Sequence, residues 1–139
     1  SQDHPSGSMH ARLDEVLQSR RRKFLVARDR LVDTSTTAFL LVVNPDKLSI
    51  LESRKVAELL ERFHIEVSAV IVNRVLPDEA DGEFLEARRE QERIYRGEID
   101  RVFASIPRVV VPLLEHDVYG LDSLRDVGRR LLDPSALLG

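Results

Sequence analysis

Apolar positions change period several times along this chain, and each change marks an element. Leu13, Val16, Leu17, Phe24 and Leu31 fall at helical spacing among arginines, which predicts an amphipathic helix over residues 11–31. After the polar break Asp33–Thr37, the run Ala38–Val43 is continuously apolar and stops at Asn44-Pro45. It is too short for a helix and does not alternate, so it predicts a strand buried on both faces, as in a parallel sheet. Ser49 and Glu52 have the S-x-x-E spacing of a capping box, ahead of a helix with Val56, Leu59, Leu60 and Phe63 on one face. Ile65–Val72 reads as a second strand, ending at Asn73-Arg74.

The loop Pro77-Asp78-Glu79-Ala80-Asp81-Gly82 leads into a highly charged helix from Glu83 to Phe103. Its stripe of Phe84, Ala87, Tyr95, Ile99 and Val102 is weak, so most of this helix is expected to be solvated or to face an absent partner. Arg108–Val111 predicts a third buried strand, and Gly120–Leu132 a closing helix carrying Leu121, Leu124, Val127 and Leu131. Residues 1–9, small and polar with Pro5 and Gly7, read as a tag or disordered tail; residues 10–139 are then a long helix followed by βαβαβα. The expected fold class is α/β: a partial doubly wound parallel sheet of about three strands with flanking helices.

Open sheets of this kind bind ligands beyond the C-terminal ends of their strands. Attention therefore falls on Asn44-Pro45-Asp46, Asn73-Arg74 and Pro112-Leu113-Leu114. A carboxamide at a strand end carries both donor and acceptor and can read the edge of a purine, with Pro and Leu offering a surface for the ring. Equally, Asn73 could cap its loop and Pro112 could end a strand, and on spacing alone this second reading leads.

Composition narrows the chemistry. The chain has 139 residues, 42% of them hydrophobic, enough for one modest core. Its net charge of -3 gives no field to attract nucleic acid. The arginine-lysine run 20–23 fans over every face of a helix, which favours a solvated surface over a phosphate patch. The apolar runs are too short to span a bilayer, so a cytoplasmic location is expected. With Cys 0, disulfides, thiolate zinc sites and cysteine nucleophiles are excluded. Glu115-His116-Asp117 sets two carboxylates beside a histidine, but adjacent loop residues rarely converge on one ion, so neither a metal site nor a catalytic residue is assigned. No G-x-S-x-G elbow is present, and no G-x-x-x-x-G-K-[ST] loop to hold phosphates.

Three runs, taken together, point further: Thr37–Glu52 (TAFLLVVNPDKLSILE), Val70–Pro77 (VIVNRVLP) and Val111–Leu121 (VPLLEHDVYGL), with Phe84–Arg89 (FLEARR) between them. In order and spacing they resemble successive C-terminal segments of the arsenical pump-driving ATPase (ArsA) family, which includes the ATPases that deliver tail-anchored membrane proteins. The resemblance covers nearly all of the chain after residue 9. It implies half of a P-loop NTPase-type domain, in which Asn73 contacts adenine. Pro112, Leu113 and Leu114 would line the base pocket, with Glu115 and the residues to Tyr119 completing the loop. Asp46 matches an acidic residue at the nucleotide site that is often Glu in the family.

The same resemblance implies ATP and Mg²⁺ as the cofactors of a full-length protein, and as partners an N-terminal half, a second copy and a membrane-protein client. It implies that this chain alone is inactive, because the phosphate-binding loop and switch aspartates of the family lie in the other half. The absence of cysteine removes the metalloid and intersubunit zinc sites found in some members. A second reading, a free-standing protein-interaction module without nucleotide chemistry, stays open, and either reading leaves an apolar sheet edge that favours self-association.

Overall fold

The computed structural model describes residues 6–78, 82–133 and 137–138, with side chains placed for residues 9–78 and 82–133. The chain divides into two units, Ser1–Thr37 and Ala38–Gly139. In the first, helix α1 spans Ser6–Val32, covering the expected 11–31 and beginning inside the stretch read as a tail; residues 1–5 of that stretch lie outside the described residues. Leu13, Val16, Leu17, Phe24 and Leu31 are all exposed. The helix ends in a turn in which the Ser35 hydroxyl and amide donate to Asp33 Oδ1 at 2.6 and 2.9 Å. Those two bonds, the hydroxyl's foremost, hold the Asp33 carboxyl below its ordinary range.

The second unit runs β1 (Phe39–Val43), α2 (Lys47–Arg62), β2 (Val67–Val75), α3 (Glu83–Val102), β3 (Arg108–Pro112), α4 (Gly120–Leu131) and the short β4 (Leu137–Leu138). The sheet order is β1-β2-β3-β4, the first two pairings parallel and the third antiparallel. The α/β class and the three-stranded parallel sheet are as the sequence predicts. β4 is an addition, pairing Leu138 and Leu137 with Arg108 and Val109.

Strands laid down in sequence order, each joined by a crossover of the usual hand, bring successive helices to the same side of the sheet. The core follows this rule. Val43, Val70, Val72 and Val75 from the strands pack with Ile50 of α2, Ile99 of α3 and Phe103 just beyond it. The opposite side of β1 is bare: Leu40 is 58% and Val42 54% exposed. Burial of β1 on both faces, expected from its unbroken apolar run, is therefore corrected. The sequence is written for two covered faces, and within this unit α2 and α3 cover one.

The start of α2 is a second correction. Asp46 is the N-cap, accepting the Ser49 amide at 2.8 Å, so the helix begins ahead of the Ser49–Glu52 box. The Ser49 hydroxyl instead accepts the Asn44 amide at 2.9 Å, fastening the end of β1 to the first turn of α2. No helix among the described residues is long and apolar enough to cross a membrane.

Candidate nucleotide-base site at the strand ends

The site is built around an irregularity in β2. Val72 pairs with Val110 and Val75 with Pro112, so β2 carries one residue more than β3 between these pairings. The extra residue is accommodated by Arg74 in the left-handed region, φ 60°, a conformation that costs a non-glycine residue about 1–2 kcal/mol. Bulges of this kind re-aim side chains at strand ends. Here the bulge returns Val75 to the covered side, where both it and Val72 are buried. Asn73, directly after Val72, falls by strand alternation on the opposite, bare side. Asn73 is half-buried, and its carboxamide makes no hydrogen bond to another described residue.

Beyond the bulge, the peptide unit joining Val75 to Leu76 is held from both ends. Its carbonyl accepts the Leu113 amide at 2.7 Å, and its N–H donates to Glu92 Oε2 at 2.9 Å. Arg89 reaches back from α3 to the Pro77 and Asp78 carbonyls at 3.3 and 3.4 Å. One strand end, one loop and one helix are thereby tied together. The rest of the predicted loop, residues 79–81, lies outside the described residues.

Two clefts open at this place. The larger, about 890 Å³, is lined by Pro112, Leu113, Leu114 and Glu115 together with Leu76 and Pro77. Its wall also carries four carboxylates, Asp78, Glu115, Asp117 and Asp126, against two guanidiniums, Arg96 and Arg130. A wall with this balance disfavours a phosphate and suits an uncharged ring. The smaller, about 190 Å³, lies between Asn44, Asp46, Arg74, Arg88, Glu92 and Leu113. Leu76 and Leu113 form the shared wall.

The structure thus brings together five of the six predicted site residues across two adjoining clefts. Asn73 lines neither, sitting on the strand just before Arg74, which does. The Asp46 carboxylate is already engaged as the cap of α2. Close by, Asn44 Oδ1 is buried with no donor opposite it, a deficit worth about 1–3 kcal/mol when unrelieved. Among the described residues no group of three or more His, Asp or Glu side chains is placed to hold a metal. Sequence reasoning missed Glu92 and Arg96, and it marked Arg74 as a strand-end position without its bulge. Glu92 sits in a helix so charged that nothing marks one carboxylate as the buried one, and the bulge at Arg74 has no glycine or asparagine signature.

The sequence pattern of the anion-transporting ATPase family matches residues 3–133. The chain belongs to that family. Among curated relatives, it is 32% identical over 124 residues to a putative arsenical pump-driving ATPase 2 of Aquifex aeolicus, covering 89% of this chain and 41% of that protein. It is 26% identical over 132 residues to the ATPase get3 of Sclerotinia sclerotiorum, covering 94% of this chain and 39% of that protein. An ASNA1 homolog ATPase of Paramecium tetraurelia matches at 26% over 108 residues, 78% of this chain and 33% of that protein. The chain spans about two fifths or less of the length of these relatives.

Proposed function

We propose that this chain is the base-binding portion of an anion-transporting ATPase, which would hold the adenine of ATP at the ends of β2 and β3 and leave the phosphates to a separate half. The observation that carries this reading is the 2.7 Å bond from the Leu113 amide to the Val75 carbonyl. It ties the Pro112–Leu114 loop to the end of β2, two residues beyond Asn73, whose carboxamide makes no hydrogen bond to another described residue. The acidic balance of the larger cleft fits a neutral ring better than a triphosphate. Asn73 would read the base edge and Asp46 would contribute a polar contact at the nucleotide. Mg²⁺ would accompany the phosphates, with its ligands in the other half.

In the whole protein, ATP binding and hydrolysis would drive anion export or the targeting of a membrane-protein client through a homodimer of a cytoplasmic ATPase. Asn73→Ala tests the base contact. Loss of a neutral hydrogen-bond pair should weaken ATP binding about fivefold and remove any preference over CTP. Line-broadening titrations of both nucleotides read this directly. An alanine variant that keeps the wild-type preference for ATP over CTP would contradict the assignment.

The bare face of β1 supports a second reading, an interaction module. Leu40 and Val42 stand side by side on an uncovered sheet face at an edge strand. The chain is expected to self-associate at high concentration, and Leu40→Lys with Val42→Thr should return it to monomer. Sedimentation velocity of both proteins decides: a monomeric wild type at high concentration removes this expectation.

A further inference from the structure

We infer that Glu92 is a positioning residue for the base site, acting through the Val75–Leu76 peptide. The inference rests on the reading of the site as a base pocket. Glu92 is 9% exposed, which is unusual for a carboxylate on a helix as charged as α3. Its Oε2 accepts the Leu76 N–H at 2.9 Å. The same peptide unit offers its carbonyl, from Val75, to the Leu113 amide at 2.7 Å. An anionic acceptor polarises the amide it binds, and a polarised amide is a better acceptor at its other end. The carboxylate therefore strengthens the bond that holds the Pro112–Leu114 loop. It also pins the chain just past Arg74, whose left-handed backbone must be maintained by its surroundings. One side chain on α3 thus sets the relative placement of the two segments that would grip the base, although it need not touch the base itself.

The test uses the 139-residue chain with Glu92→Leu, Glu92→Gln and Asn73→Ala, each checked for folding by circular dichroism. Gln keeps a carbonyl oxygen where the acceptor is needed; Leu fills the space and leaves the Leu76 amide without a partner. In Glu92→Leu, hydrogen exchange at the Leu113 amide should quicken about tenfold or more, and ATP binding should weaken by a similar factor with loss of preference over CTP. Glu92→Gln, which keeps the acceptor and loses its charge, should fall between wild type and the leucine variant on both readouts. Should the leucine variant not fold, Glu92→Ala, which admits water to the amide, carries the same readouts. Unchanged Leu113 exchange in the Leu or Ala variant would overturn the inference, as would a Gln variant as impaired as they are. If Asn73→Ala keeps its base preference while Leu113 exchange responds to Glu92, the tether stands and the base reading falls.

Discussion

Replacing Arg108 with methionine should cost this protein about 2–3 kcal/mol, a large share of the stability of an ordinary domain. Arg108 lies at the start of β3, only 6% exposed, and its guanidinium is fully engaged around the end of α3. Nη1 donates to the Phe103 and Ile106 carbonyls at 2.9 and 3.0 Å, and Nε donates to Asp100 Oδ1 at 2.9 Å. The Phe103 carbonyl, just past the end of the helix, also accepts the Ile106 amide at 3.0 Å, whereas no backbone amide among the described residues meets the Ile106 carbonyl. Methionine would restore the packing volume but leave the Ile106 carbonyl without its donor and take one of two from Phe103, while Asp100, half exposed, can turn to water. Next to it, the Pro107 carbonyl accepts the Val70 amide at 2.8 Å, so the damage falls where β3 enters the sheet. Urea unfolding should show the midpoint lowered by about 1–2 M; a loss below about 1 kcal/mol would mean that the buried arginine is bonded but not needed.

ATP hydrolysis by this chain alone should be indistinguishable from the uncatalysed background. Phosphoryl transfer is accelerated by placing cations and backbone amides around the phosphates, and by little else. The sequence holds no G-x-x-x-x-G-K-[ST] loop, and the larger cleft presents four carboxylates to two arginines. Inorganic phosphate release at saturating ATP and Mg²⁺ is the measurement. Supplying a polypeptide that carries such a loop and completes the sheet should raise the rate by several orders of magnitude. Turnover by the chain alone would require a phosphate site of a kind these residues do not suggest.

The elements were legible in the sequence because each relies on local signals. The continuous run Ala38–Val43 gave β1, the Val56–Phe63 stripe gave α2, and Pro107 set off β3. The family was legible in the three strand-end runs, all of which lie within residues 3–133, where the family pattern matches. What was not legible is everything that depends on which face of the sheet is covered. The pattern of β1 calls for two covered faces, and only the course of the chain shows that α2 and α3 share one. The site was legible by residue type but not by geometry. Pro112 to Glu115 and Asp46 come to adjoining clefts, yet Asp46 is the cap of α2, Asn73 falls by alternation on the bare side, and the bulge that turns Val75 back is announced by no residue in Asn73-Arg74-Val75. Glu92 is hidden for a related reason: among many exposed charges on α3, burial is decided by the loop it meets.

The base site is tested most directly by an amide-resolved NMR titration of the chain with ATP and, separately, with AMP. If adenine is held at the ends of β2 and β3, shifts should centre on Asn73 and on Leu113 to Glu115, with the same pattern for both nucleotides because both carry the same base. The dissociation constants should lie near the millimolar range, as expected when a base binds without its phosphate contacts. No response at those amides with several millimolar of either nucleotide would contradict the account and move the chain toward the interaction reading.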